Sequence, residues 1–305
     1  MILKKAIKGI ALFAIPAALF VACGSPDKPD SEITETEVSK EDVVNDANDN
    51  INKVQDIFYS VPSPMEMASL LKKTGADYDM SLLNDVKKVN DYKTARSQAL
   101  NLGVYGANLS YASIFNQNQE SIIYLSCTKK LAEKLGVTKA FDDKTIERME
   151  ANIENRDSLL NIVSETYYML DAYLKENDRD HISAMVIAAG WVEGLYMATS
   201  IAKESEDPDE KLLQRIAEQK LSLNNLIELV EAYNNQGQLD EILADLEKIN
   251  SAYSDVSIEK TKATVSEGES GVAVIGGGSK NAGISAETLQ KITEVVSEIR
   301  SDYVS

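Results

Sequence analysis

The sequence predicts an all-α fold, a multi-helix bundle with a small β-hairpin inserted near its C-terminal end. Three observations predict it. Apolar residues recur at alternating three- and four-residue spacings through most of the chain, as amphipathic helices require. Six prolines and fifteen glycines punctuate 305 residues, of which 44% are hydrophobic, enough to bury a core of domain size. Only residues 254–285, containing VSIEKTKATVSEGESGVAVIGGGSKNAGIS, depart from this texture, being rich in β-branched residues and glycine.

The chain begins MILKKAIKGIALFAIPAALFVACGS. Lys4, Lys5 and Lys8 precede the apolar run Ile10–Ala22. That run is too short to span a bilayer, which takes ~20 apolar residues, and the pattern is that of a secretory signal. Phe20-Val21-Ala22-Cys23-Gly24-Ser25 resembles the bacterial lipoprotein box, with Phe20 where leucine is usual. On this reading residues 1–22 are a signal peptide and Cys23 carries the lipid. The other cysteine, Cys127, lies in the amphipathic pattern IIYLSCTKKLAEKL and is expected to be a buried thiol acting as a small apolar residue.

Residues 23–40 are polar and acidic, with too little apolar surface to offset ordering entropy, and are expected to be a flexible tether. Residues 41–253 then form a helical bundle domain. Ala47, Ile51, Val54 and Phe58 make one stripe over 41–58. Ser63, Pro64 and Glu66 form a helix start that Gly75 ends. A helical turn is expected near 81–86, with longer helices at 91–116 and at 118–135, the latter stopped by Gly136. Ile146, Met149, Ile153, Leu160, Val163, Tyr167, Leu170 and Leu174 predict one long helix over 143–175, interrupted only by Arg156 on its seam. Asp180 is expected to cap a helix over 181–203, and Asp207 the next, with Pro208 and Glu210 in its first turn. A short helix follows at 239–253.

Residues 254–305 are expected to hold the hairpin, a Gly-rich loop and a C-terminal helix packing on the bundle. The hairpin pairs Lys260–Val265 with Gly271–Ile275. Ser285 caps the last helix, 286–303, whose 3-4-3-4 stripe matches that of 239–253, so the two are candidates to pair. LGVYGANLSYASI (102–114) also resembles AGWVEGLYMATSI (189–201), an internal echo compatible with duplication of a helical hairpin.

Charge narrows function. The net charge is −18, and −21 once residues 1–22 with their three lysines are removed. Such a surface repels nucleic acid and anionic head groups, so membrane attachment is expected through the lipid on Cys23 and not through a basic patch. VAVIGGGSKNAG (272–283) suggests a phosphate-binding turn, but no βαβ unit surrounds it and Asn281 stands where a third small residue belongs. The only histidine, His181, sits beside Asp178 and Asp180 at a helix start, where capping accounts for the acids. No metal site, cofactor or catalytic residue is assigned, and the chain is not expected to be an enzyme. Gly190, Gly194 and Ala198, with Gly103 and Gly106, predict close helix packing. Tyr105, Tyr111, Trp191 and Tyr196 lie on those same helices and are the candidate lining of a small-ligand pocket.

The stretches FYSVPSPMEMASLLKKTGADYD, ALNLGVYGANLSYASIFNQ and RIAEQKLSLNNLIELVEAY resemble a family of uncharacterised helical lipoproteins from Bacteroides-like bacteria. The resemblance covers most of the chain after residue 22. It implies a helical fold and an envelope location, and carries over no functional residues. The expected role is a lipid-anchored envelope component that binds or scaffolds a protein partner without catalysis. The expected location is the outer membrane, on the periplasmic side or the cell surface, since Gly24 differs from the aspartate signal for inner-membrane retention. The alternative is a receptor binding a small ligand between helices 91–116 and 181–203.

Overall fold

The computed structural model describes residues 64–73, 75–139, 141–205, 208–259, 264–267, 273–276 and 281–305. The expected signal peptide, tether, helix 41–58 and Ser63 cap lie outside the described residues. The described chain is predominantly helical, in keeping with an all-α class. Its helices are α1 (Pro64–Lys73), α2 (Ala95–Ile114), α3 (Asn118–Leu135), α4 (Asp143–Ala151), α5 (Arg156–Glu176), α6 (Asp180–Glu204), α7 (Glu210–Tyr233), α8 (Asp240–Ala252) and α9 (Ala286–Tyr303). Two 3-10 turns, Met80–Leu82 and Val86–Asn90, lie between α1 and α2. The expected hairpin falls largely outside the described residues. Flanking it, Ser257–Glu259 pairs antiparallel with Asn281–Gly283, Ile258 opposite Ala282.

Local chemistry sets the ends. Thr94 and Ser97 exchange side-chain-to-backbone bonds across the first turn of α2 in a capping box. Gly136 ends α3 at φ +69°, a left-handed conformation that favours glycine. Ser285 caps α9 through a bond from the Thr288 amide.

Three expected starts or spans are corrected. The single helix over 143–175 is two. The Asn152 side chain donates to the Arg148 carbonyl at 2.7 Å, and Asn155 caps α5 by accepting from the Ser158 amide at 3.2 Å. Short polar side chains that bond the backbone compete with a continuous helix, and the break falls beside Arg156. Asp180 is the first residue inside α6 and not its cap, which is Arg179, without a side-chain bond. Asp209, and not Asp207, caps α7, its carboxylate accepting from both Lys211 and Leu212 amides.

Helices α2 and α6 form the centre. Every residue of α2 from Ala99 to Ile114 is buried, as is most of α6. A helix that is apolar on all sides belongs in a core. By hydropathy and length α6 resembles a membrane span, yet 89% of its most apolar stretch is buried against the rest of the chain. Gly103 meets Val186 and Gly190, and Asn108 meets Glu193. Both contact positions advance together, so the two helices run parallel. The echo sequences 102–114 and 189–201 therefore lie side by side. Around this pair α1, α3 and α5 pack on α2, and α1, α5, α7 and α9 pack on α6. Helix α8 bridges α7 and α9, so the two matching C-terminal stripes do meet.

The contact at Gly103 is backbone on backbone. A Cβ there would stand 2.1 Å from the Val186 carbonyl oxygen and 2.9 Å from the Gly190 nitrogen, and neither can rotate away. Gly103→Ala is expected to lower stability by ~3 kcal/mol, read as a shifted urea midpoint. Gly283→Ala, where a Cβ meets nothing within 4 Å, is expected to change it by less than ~0.5 kcal/mol. Equal effects would refute a close helix crossing at Gly103.

Candidate functional site

The largest concentration of buried polar chemistry lies where α2, α6, α9 and the 3-10 segment meet. Its centre is Glu193, on α6, whose side chain has no solvent exposure. The Arg300 guanidinium of α9 reaches it with Nε to Oε2 at 3.0 Å and Nη2 to Oε1 at 3.3 Å. Asn108 Nδ2 donates to the same Oε1 at 2.7 Å. The guanidinium also lies over the Tyr196 ring, 4.8 Å from its centroid, and Nη2 donates to the Leu82 carbonyl at 3.4 Å. Burial alone would lower the pKa of Arg300. The Glu193 carboxylate, with Tyr196 and Tyr92 nearby, reverses this and raises it above its ordinary value.

From Asn108 the network runs outward. Its Oδ1 accepts from the Asn84 amide at 3.0 Å. Asn84 Nδ2 donates to Tyr92 Oη at 3.0 Å and to Asn101 Oδ1 at 3.2 Å, while its carbonyl accepts from Tyr124 Oη at 3.1 Å. Asn101 Nδ2 donates to the Tyr303 carbonyl at 2.7 Å. Lys88 Nζ, at 2.8 Å, and Tyr92 Oη, at 3.4 Å, both donate to the Val304 carbonyl. The last carbonyls of α9, which a helix end leaves unpaired, thus find donors on α2 and the 3-10 segment.

A second buried node ties α5, α6 and α7. Ser183 Oγ donates to Asp171 Oδ1 at 2.7 Å, Lys175 Nζ pairs with Asp171 Oδ2 at 2.8 Å, and Tyr233 Oη lies 3.5 Å from Asp171 Oδ1.

Both nodes are saturated by the chain's own groups. Among the described residues, buried side-chain polar atoms without a partner are confined to the hydroxyls of Tyr78 and Tyr303. No group of three or more His, Cys, Asp or Glu among them is placed to hold a metal ion. A small void between α2, α3, α4 and α5, lined by Gly106, Thr128, Phe141, Met149 and Tyr167, has about the volume of one water, 10 Å³.

The sequence-expected pocket residues are dispersed. Tyr105, Tyr111 and Trp191 are fully buried, and Tyr196 is half-buried. Tyr105 donates to the Asp85 carbonyl at 2.9 Å and sits between Tyr92 and Tyr124. Tyr111 accepts from the Asp79 amide at 3.0 Å and packs with Tyr78 and Phe115. Trp191 donates to Gln219 Oε1 at 3.2 Å. No ring contact joins any two of these four among the described residues. Cys127 is buried and its thiol is pushed up to about 11 by desolvation, with Lys130 opposing, as expected of an unreactive thiol. His181 is half-buried, held below its ordinary pKa by burial against the opposing pull of Asp180.

Glu193, Arg300, Asn84, Asn101 and Asn108 were not singled out by sequence reasoning. A signal existed for part of the set. Asn101 and Asn108 stand seven residues apart on a helix with no charged residue after Arg96, and a polar stripe on such a helix calls for internal partners. Glu193 and Arg300 stand 107 residues apart, and nothing in the sequence marks them as a pair. Compared with known proteins, the chain matches no family model, no curated protein and no solved structure.

Two outcomes test this description. Glu193→Ala leaves a buried guanidinium without its anion and is expected to cost ~3–5 kcal/mol. Adding Arg300→Met is expected to recover much of that loss, and a double-mutant cycle in urea reads the coupling. Burial also raises Tyr105, Tyr124, Tyr233 and Tyr253, and takes Tyr78 to about 12. The folded chain keeps phenolic protons that the unfolded chain releases near pH ~10. Stability from these groups is therefore complete below ~10 and falls as pH rises through the folded values. Phenolate absorbance of the buried tyrosines should appear together with loss of helical circular dichroism, and an earlier phenolate signal would contradict their burial.

Proposed function

We propose that this chain is a lipid-anchored cell-envelope protein whose helical body binds or scaffolds a protein partner without chemistry of its own. The observation that carries the reading is the order of residues around Cys23: a basic start, an apolar run too short to span, then Ala22-Cys23-Gly24. Thioether-linked and amide-linked acyl chains, each worth ~0.8 kcal/mol per buried methylene, give durable attachment. The saturated polar nodes favour a body that presents a fixed outer shape over one built to react. The outer membrane is the proposed location, and the resemblance to helical lipoproteins of Bacteroides-like bacteria is proposed as kinship.

The segment between α8 and α9 is proposed to form the hairpin expected from the sequence. The antiparallel register of Thr264–Glu267 with Ala273–Gly276, Val265 opposite Ile275, supports it.

Mass spectrometry of the protein from its native membrane tests the anchor. The expected N-terminus is Cys23 carrying acyl mass, with the chain in the detergent phase. Cys23→Ser is expected to abolish both. A native chain retaining residues 1–22 and lacking lipid would overturn the reading. Crosslinking of the anchored protein in intact envelopes tests the partner, and the scaffold role fails if no protein is captured above the level of Cys23→Ser.

A further inference from the structure

The solvent face of α3 differs from the rest of this acidic chain. Residues 86–141 carry eight Lys and Arg against three Asp and Glu, a net of +5 within a chain of net −18. Arg96 pairs with Glu241, and Lys88 and Lys93 donate to the neutral carbonyls of Val304 and Asn90, at 2.8 and 2.6 Å. Lys129 pairs with Asp143 at 3.2 Å. Lys130 and Lys134 make no salt bridge among the described residues. Lys134 Nζ donates to the neutral carbonyls of Val89 and Tyr92, at 2.8 and 3.4 Å, which bring it beside Lys93 without cancelling its charge. Burial first, then the Lys93 and Lys130 ammonium groups, hold Lys134 below its ordinary value against Asp91.

The same helix face carries exposed apolar surface. Ile122 and Ile123 are 48% and 47% exposed, among the few large apolar side chains so exposed in the described chain. At 100° per residue, Gln119, Ile122, Ile123, Ser126, Lys130, Glu133 and Lys134 share one outward stripe, and each is exposed. The stripe is apolar in its N-terminal half and cationic in its C-terminal half, with Glu133 as its one acid. Isoleucines beside lysines on a helix face suit the boundary between acyl chains and anionic head groups.

We propose that the outer face of α3 is a membrane-orienting surface: Ile122 and Ile123 enter the interface, while Lys93, Lys130 and Lys134 meet anionic lipid phosphates. Charge complementarity selects this occupant, because an anionic bilayer attracts cations on this face, while the chain outside residues 86–141 carries a net −23. The inference rests on the lipid anchor for proximity to the bilayer. The lipid supplies attachment, and the face supplies the side that turns inward.

The test uses the full acylated chain in vesicles, with an environment-sensitive fluorophore on Ser126→Cys or on Ala244→Cys of α8, where residues 240–248 hold four acids and one lysine. Buried Cys127 and acylated Cys23 leave the introduced thiol as the labelling site. Brominated lipid is expected to quench position 126 several-fold more than position 244 in phosphatidylglycerol-containing vesicles. The difference is expected to collapse in pure phosphatidylcholine, and near ~1 M salt, where screening acts over ~3 Å. It is also expected to collapse in Lys130→Glu/Lys134→Glu and in Ile122→Ser/Ile123→Ser, whose folding is checked by circular dichroism. Equal quenching at the two positions, or quenching indifferent to lipid charge, would overturn the proposal. So would shielding of position 126 in envelope fragments but not in vesicles, which would assign the face to a protein. Acyl mass measured on the same sample reports the anchor separately.

Discussion

A carboxylate shut away from water must be met by donors on both oxygens, or the fold that hides it loses several kcal/mol. Glu193 is in that position, and the surrounding structure is arranged to meet it. Arg300 arrives from α9 in a side-on, two-point geometry, Asn108 arrives from α2, and the Tyr196 ring backs the guanidinium. Three helices distant in sequence must hold one mutual register for these bonds to form together. Apolar stripes alone would tolerate slippage by a turn. The ion pair and its amide partner penalise every slipped arrangement, because each would strand a charge.

The close approach at Gly103 makes this geometry possible. With no side chain at Gly103, the α2 backbone lies against Val186 and Gly190 of α6. Asn108, five residues on, then reaches Glu193, three residues past Gly190. The small-residue contact and the polar contact are successive points on one parallel helix pair. The consequence extends to the chain between α1 and α2. Asn84 is held by Asn108 and holds Asn101 and Tyr92, so a segment with only two short 3-10 turns becomes part of the core. Tyr303 and Val304 carbonyls complete the loop, joining the last described turn of the chain to residues 88–101.

Much of the helical layout was legible because it is local. Gly136 and Ser285 mark ends through bonds made within a few residues of themselves, whereas the helix expected from 91 starts only at Ala95, after the Thr94 cap. The misread boundaries lie where short polar side chains crowd a helix end. Asp207 and Asp209 both suit a cap, and Asp209 has the two amides. Asn152 and Asn155 lay within a continuous apolar rhythm that 3-4 spacing alone does not break. The aromatic residues expected around a ligand were recognised correctly as members of the two central helices. Their neighbours were not readable, since Tyr105 finds Tyr92 and Tyr124, and Tyr111 finds Tyr78 and Phe115, through tertiary contacts that no spacing encodes. The Glu193–Arg300 pair was hidden for the same reason.

Net charge misleads in a comparable way. A total of −18 describes repulsion far from the molecule, but screening limits its reach to ~8–10 Å near physiological salt. At contact, what a bilayer meets is one face and not the sum. Lys93 belongs to the segment before α2 and Lys130 and Lys134 to α3, so they look scattered in sequence; Lys130 and Lys134 are one helical turn apart, and the bonds from Lys134 to the Val89 and Tyr92 carbonyls draw it toward Lys93. On the proposed reading the body tumbles within a short distance of its membrane, and the lipid supplies the association. Small differences between faces then decide orientation. On the proposed reading, an acidic surface does not oppose attachment. It turns the rest of the body away from the head groups, and the partner-binding surface is to be sought among the faces left pointing outward.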